Sequence, residues 1–164
     1  TQGLAQIPQH SRLAHAITFV LSLHEQEPTW ERAVDRLYEK FGEYHWVHSL
    51  NNAALVVAAL LYGNGDYEKT ICNIVMAGWD TDSNGATAGA ILGTMHGARK
   101  LPAKWLAPLQ NKIRSSMKGF DYSAFDDLAR RTLKQVSLLH NYNSARETDY
   151  TSHLSLFVIQ EESL

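Results

Sequence analysis

Two carboxylates stand two residues apart in AGWDTDSNGATAGAILG, Ala77 to Gly93, and a hydroxyl follows them at Ser83. Asp80, Asp82 and Asn84 alternate into Gly85, which is how a calcium-binding EF-hand loop opens. Such a loop needs a bidentate carboxylate at its twelfth position. Counted from Asp80, that position is Ile91, which has no oxygen to offer. The loop should also continue past its glycine, whereas here the glycine opens a helix. Gly85, Gly89, Gly93 and Gly97 recur every fourth residue, with Ala86, Ala90 and Ala98 beside them. Each glycine costs a helix about 1 kcal/mol relative to alanine. A sequence keeps a row of them where another helix lies almost in backbone contact, and a helix packed so tightly cannot swing open as a calcium sensor does. The calcium reading is rejected.

Three explanations of the acidic pair stay open. Asp82 or Ser83 can cap the helix, since acids are favoured at its N-terminus. Asp80 can pair with a distant Arg or Lys. Both acids with the hydroxyl can hold a hard cation, Mg²⁺ or Mn²⁺. A single cap accounts for one Asp and not for two.

The elements that position these residues are helices. Ser11 is a candidate N-cap, followed by Leu13, Ile17, Val20 and Leu21 at helical spacing up to His24. Thr29 caps TWERAVDRLYEKFG, with Gly42 as its stop. NNAALVVAALLY is apolar on every face and so central to the fold. Asp66 caps DYEKTICNIVMAG, with Tyr67, Ile71, Ile74 and Val75 as its stripe. The glycine-rich helix is expected over about Asn84 to Ala98. LPAKWLAPL reads as a loop with a short helix, interrupted by Pro102 and Pro108. A last helix is expected over Ser123 to His140, with Phe125, Leu128, Ala129, Leu133, Val136 and Leu139 inward. The fold class is all-α. The tail, 141–164, contains one short β-like run, Leu156 to Ile159, and stays unassigned.

Composition narrows the function classes. Of the 164 residues 45% are hydrophobic and 20% charged, which suits a folded globular chain. A net charge of −2 gives no footprint for nucleic acid or an anionic membrane. No apolar run approaches the roughly 20 residues needed to span a bilayer. The single cysteine, Cys72, excludes an internal disulfide framework and suits a reducing, cytoplasmic setting. No composition shift marks a second domain. The chain opens TQGLAQIP without an initiator Met, so a piece of a longer protein is expected.

GWDTDSNGATAGAILG resembles the C-terminal metal motif of the ADP-ribosylglycohydrolase family, a GGDTDT followed by a small-residue helix. The segments IPQHSRLAHAI, YHWVHSLNNAALVVAALLYGNGDYEKTI, LPAKWLAPLQNKIRSSMKGF and DDLARRT are similar to a bacterial branch of the same family. The resemblance runs from about Leu4 to Leu139 and implies a compact, orthogonal all-α bundle. It further implies two Mg²⁺ or Mn²⁺ ions in a cleft and hydrolysis of ADP-ribose linkages on a protein or small molecule. It makes Asp80, Asp82 and Ser83 the metal ligands. Trp79 stands where the family has its second glycine, and Ser83 where it has threonine. The family's TDDT-like motif and remaining acidic ligands belong to an N-terminal half that does not precede Trp79 here. Asp126 and Asp127 come too late and fit a solvated face. Residues 1–140 are therefore expected to be the C-terminal portion of such a domain, incomplete at its N-terminal side and inactive without the missing segment. The catalytic residue is not identified.

The resemblance also makes His48, Asn51, Asn52 and Trp79 candidates for ribose or phosphate contacts. On the residues alone, Asn51 or Asn52 can instead cap the apolar helix. His45 and His48 have a zinc-compatible spacing, but no Cys or third His stands near them. Cys72 reads as packing, His96 as structural, and Trp30, Trp46 and Trp105 as core or interface anchors. The alternative function is a non-catalytic helical relative that binds a ligand or serves structure.

Overall fold

A computed structural model describes residues 2–144, so the tail run Leu156 to Ile159 lies outside the described residues. The chain forms two compact units, one through Pro102 and the other from Ala103.

The first unit holds five α-helices: α1 (Arg12–Gln26), α2 (Trp30–Phe41), α3 (Ser49–Gly63), α4 (Tyr67–Met76) and α5 (Thr81–His96). Three start on side-chain caps read from the sequence. Ser11 accepts from Ala14 N–H, Thr29 from Arg32 N–H and Asp66 from Lys69 N–H. Each satisfies a donor that the first helical turn would otherwise leave free. α3 packs against α1, α2, α4 and α5. Its Leu55, Ala54, Ala58 and Ala59 are fully buried, as all-round apolarity requires. Tyr62 near its end donates to Glu27 O at 2.6 Å and packs edge-on to His24 and Trp30, tying α3 to the α1–α2 connection. Gly63 then lies so close to Thr70 of α4 that an added Cβ would fall 1.8 Å from the Thr70 hydroxyl oxygen. Two rungs of the glycine ladder meet α4: Gly85 faces Val75, and Gly89 faces Tyr67 and Ile71. Gly97, at φ 73°, ends α5.

The second unit contains α6 (Ala103–Leu106), a two-stranded ladder of β1 (Lys112–Ile113) and β2 (Ser123–Ala124), and α7 (Phe125–Ser144). The ladder is antiparallel, with Lys112 opposite Ala124 and Ile113 opposite Ser123. Between the strands, Asp121 accepts two hydrogen bonds from the Arg114 guanidinium and one from Ser115 N–H. Asp126 and Asp127 lie at the solvated start of α7, beside Asn111, Arg130 and Arg131.

Seven α-helices and one short ladder among the described residues bear out the all-α expectation. Several local expectations are corrected. The last helix begins at Phe125, because Ser123 and Ala124 pair with β1. Its apolar stripe does not face inward: Phe125, Leu133, Val136 and Leu139 are all exposed, Leu139 by 61%. Val75 and Cys72 of α4 are exposed rather than packed, because α4 turns only Thr70 and Ile74 fully inward. Trp46 is exposed as well, whereas Trp30 does pack on the core.

Candidate functional site

The acidic stretch is the start of a helix rather than an extended turn before one. α5 begins at Thr81, three residues earlier than the spacing predicts. Asp80 is its N-cap and Asp82 and Ser83 sit in its first turn. Thr81 N–H reaches Trp79 O, and Asn84 N–H closes the first helical bond on Asp80 O. Asp80 has non-helical backbone angles, φ −86° and ψ 71°. Its carboxylate makes no capping hydrogen bond and is left for other work.

Asp82 is exposed, and its Oδ1 accepts Ser83 N–H at 2.9 Å. That N–H, then the neighbouring Asp80 carboxyl, then its own backbone N–H hold the Asp82 carboxyl below the usual carboxylate range. The two acids stand together at the helix start, where the N-terminus adds a favourable field for negative charge. The exposed Ser83 side chain stands next in the same turn.

α3 holds this turn from behind. The side chain of Asn52, in the first turn of α3, spends its full hydrogen-bonding capacity there. Its Nδ2 donates to Trp46 O and His48 O at 2.8 Å each. Its Oδ1 accepts from Asp80 N–H at 3.2 Å and from Asn84 Nδ2 at 2.6 Å. Asn84 is itself buried, so this amide pair is an internal joint between two helix starts. Neither Asn caps α3. His48 does so, its Nδ1 accepting Leu50 N–H at 3.1 Å. This bond puts the proton of the neutral imidazole on Nε2. The His48 ring also lies 4.6 Å from that of Tyr44. Asn51 is wholly buried, and among the described residues neither of its amide atoms has a hydrogen-bond partner.

Trp79 precedes the acids with φ 56°, a left-handed conformation that a bulky residue seldom takes. It is retained by stacking on Tyr38 of α2, centroids 4.6 Å apart and planes 26° apart. The Tyr38 hydroxyl donates to Ala77 O at 2.7 Å, and burial raises its pKa. Thus α2 and α3 both anchor the segment that carries the acids. His96, by contrast, bonds Gly65 O at 2.7 Å and serves the α3–α4 turn, as expected of a structural residue.

Asp80, Asp82, Ser83, Trp79 and Asn52 are therefore gathered at one corner, with His48 at the adjoining helix start and Asn51 inside the protein. Asn84 and Tyr38 are supports that the sequence did not single out. Asn84 stood in the motif but looked like a loop ligand, and nothing local marks Tyr38, which lies 39 residues from Ala77. The donors at this corner are hard oxygens, suited to Mg²⁺ or Mn²⁺ rather than a thiophilic metal. Mg²⁺ commonly takes one or two carboxylates and keeps several waters, so two acids and a hydroxyl fit one such ion. Among the described residues no group of three or more His, Cys, Asp or Glu side chains is placed to hold a metal. Nor is any described helix long and apolar enough to cross a membrane. Comparison with curated proteins and with solved structures gives no match. The sequence model of the ADP-ribosylglycohydrolase family matches residues 1–143, and the chain belongs to that family.

Proposed function

We propose that this chain supplies the metal-gripping C-terminal part of a Mg²⁺- or Mn²⁺-dependent hydrolase that cleaves glycosidic linkages to ADP-ribose. Family membership supports an ADP-ribose hydrolase type of function. The observation that supports the finer reading is that Asp80, Asp82 and Ser83 stand together at the start of α5, with the Asp80 backbone tied to Asn52 and no side-chain cap spending the Asp80 carboxylate. In this reading Asp80, Asp82 and Ser83 hold the cation. Cleavage at an anomeric carbon builds positive charge on the ribose. A bound divalent ion would orient a water and lower its pKa.

The chain's own residues do the rest. The two carboxylates keep the helix start negative, and Ser83 adds a neutral oxygen. Asn52 holds the Asp80 backbone, so the acids stay in place through buried hydrogen bonds. Trp79 offers an indole beside the acids for a ribose or adenine face. His48, with Nδ1 occupied, has Nε2–H free to donate to a sugar hydroxyl or phosphate. A second ion needs further acids, and we assign these to a preceding segment of the same protein. The cytoplasm, where Cys72 would stay reduced, is the proposed setting.

Calorimetric titration with ADP-ribose, with and without Mg²⁺, beside Asp82→Ala, tests this reading. Metal-dependent binding that the substitution abolishes is the expected result. Binding that ignores both metal and substitution would favour the non-catalytic relative. No binding under any condition would sink the acidic turn as a self-sufficient site.

A further inference from the structure

A concave site lies on the other side of α3 from the acidic turn. A cavity of about 290 Å³ opens between α1, the end of α2 and the start of α3. Phe19, Phe41 and Tyr44 form its inner lining, and Arg12, His15 and Lys40 stand exposed around it. Phe19 meets Phe41 edge-on at 5.7 Å, and Phe41 lies 6.4 Å from Tyr44, so the rings form a continuous apolar surface. The Lys40 ammonium is held 5.8 Å from the centre of the Phe19 ring.

The charge around this cavity is of one sign. The chain carries more acids (17) than Lys and Arg (15), yet no acidic side chain lines it. Among the described residues, Arg12, His15 and Lys40 form no ion pair with a carboxylate. Arg12 is moreover in the first turn of α1, where the helix dipole disfavours a cation. Lys40 has the Phe19 ring and the last turn of α2 as its setting, whereas the Arg12 guanidinium has no such support in the fold. The cavity is also separate from the acidic turn. Leu50 lines it, whereas Asn52 binds Asp80, and residues two apart on a helix point roughly 200° from each other.

We propose that this cavity binds a phosphorylated aromatic molecule no larger than a nucleoside monophosphate. Its ring lies on the part-exposed Phe19 and Tyr44, with buried Phe41 beneath them, as stacking on aromatic side chains allows. Its phosphate is met by the Arg12 guanidinium, with Lys40 and His15 beside it. The volume lies just below the usual range of ligand pockets, which begins at roughly 300 Å³. That suits one ring system with one phosphate better than a whole ADP-ribose.

AMP is the probe, titrated calorimetrically with a metal chelator present. Adenosine and inorganic phosphate report each half of the interaction separately. AMP is expected to bind at least about tenfold more tightly than either half, a difference of about 1.4 kcal/mol. Arg12→Ala and Lys40→Ala, both at exposed positions, should each weaken AMP several-fold, with at most a small drop in thermal midpoint for Lys40→Ala from its lost Phe19 contact. Asp82→Asn should leave AMP binding unchanged. No AMP binding at millimolar concentration would overturn the site. So would binding that survives the Arg12→Ala/Lys40→Ala double variant, or binding that Asp82→Asn abolishes. Phosphate binding as tight as AMP would overturn the aromatic half of the proposal.

Discussion

The side-chain oxygen of Asn52 accepts the backbone N–H of Asp80 at 3.2 Å, joining α3 to the start of α5 across 28 residues. The same oxygen takes a hydrogen bond from buried Asn84, so one atom serves both ends of the acidic turn. Asn52→Leu would strand both donors and Trp46 O, while His48 O would keep the Asn52 backbone N–H. Leaving buried groups unpaired costs about 1–3 kcal/mol each, with partial recovery by water at the rim. The variant should lose about 2–4 kcal/mol in urea unfolding by that measure. A loss under about 0.5 kcal/mol would mean that the joint is not formed.

Trp79 poses a balance between strain and stacking. A non-glycine residue at left-handed φ costs roughly 1–2 kcal/mol. An aromatic pair such as Tyr38–Trp79 returns about 0.5–1.5 kcal/mol beyond its buried area. The terms nearly cancel, so Trp79→Gly should stay within about 1 kcal/mol of the parent in chemical denaturation. Tyr38→Ala should cost clearly more, since it leaves the strained Trp unsupported and removes the bond to Ala77 O. The reverse order would show that the indole, and not its partner, anchors the segment.

Two glycines that look alike in sequence should respond differently to alanine. At Gly63 a new Cβ meets Thr70 Oγ1 at 1.8 Å and Thr70 Cβ at 2.9 Å, and Thr70 is fully buried. Overpacking there should cost about 2–3 kcal/mol or more. At Gly89 the nearest atoms are 3.4 and 3.5 Å away, close to ordinary contact. The gain of up to about 1 kcal/mol in helix propensity then offsets the crowding. Thermal melts of Gly63→Ala and Gly89→Ala would separate a large loss from little change.

Asn51 is a buried amide without internal partners. Replacing it by Leu, of similar branching, removes two unpaired polar atoms and should stabilise the fold by about 1–2 kcal/mol. A destabilised Asn51→Leu variant would reveal a partner for that amide inside the protein.

In the second unit, the Arg114 side chain and then Ser115 N–H lower the pKa of Asp121. A lowered folded-state pKa gives stability that is fully present above the unfolded value, near 3.8, and lost as pH falls through the folded value. The difference in melting midpoint between the parent and Asp121→Asn should therefore be constant near neutrality and shrink below about pH 4. A difference that grows in acid would contradict the assignment.

What the sequence disclosed depended on the range of the interaction. Ser11, Thr29 and Asp66 were legible as caps because a cap acts on a backbone three residues away. The central place of α3 followed from apolarity on every side. The start of α5 was not legible, because Asp80 caps it through backbone geometry without a side-chain bond. Periodicity grouped Phe125, Leu133, Val136 and Leu139 on one face of α7, but spacing cannot say whether a face is covered. The acids were visible as a motif, whereas the Asn52–Asn84 and Tyr38–Trp79 supports exist only once distant helices dock.

The span of those supports has a consequence for when the acidic turn comes into being. Its buried anchors bridge 28 and 32 residues, so no short stretch of chain can assemble it alone. In the unfolded ensemble Asp80 and Asp82 are ordinary solvated acids with little affinity for a divalent ion. A cation that recognises the pair at the helix start recognises only the native chain, and mass action converts its binding into resistance to unfolding. At a hundred times its dissociation constant that resistance amounts to about 2.7 kcal/mol. Under the proposed function, ion loading and folding would be one equilibrium.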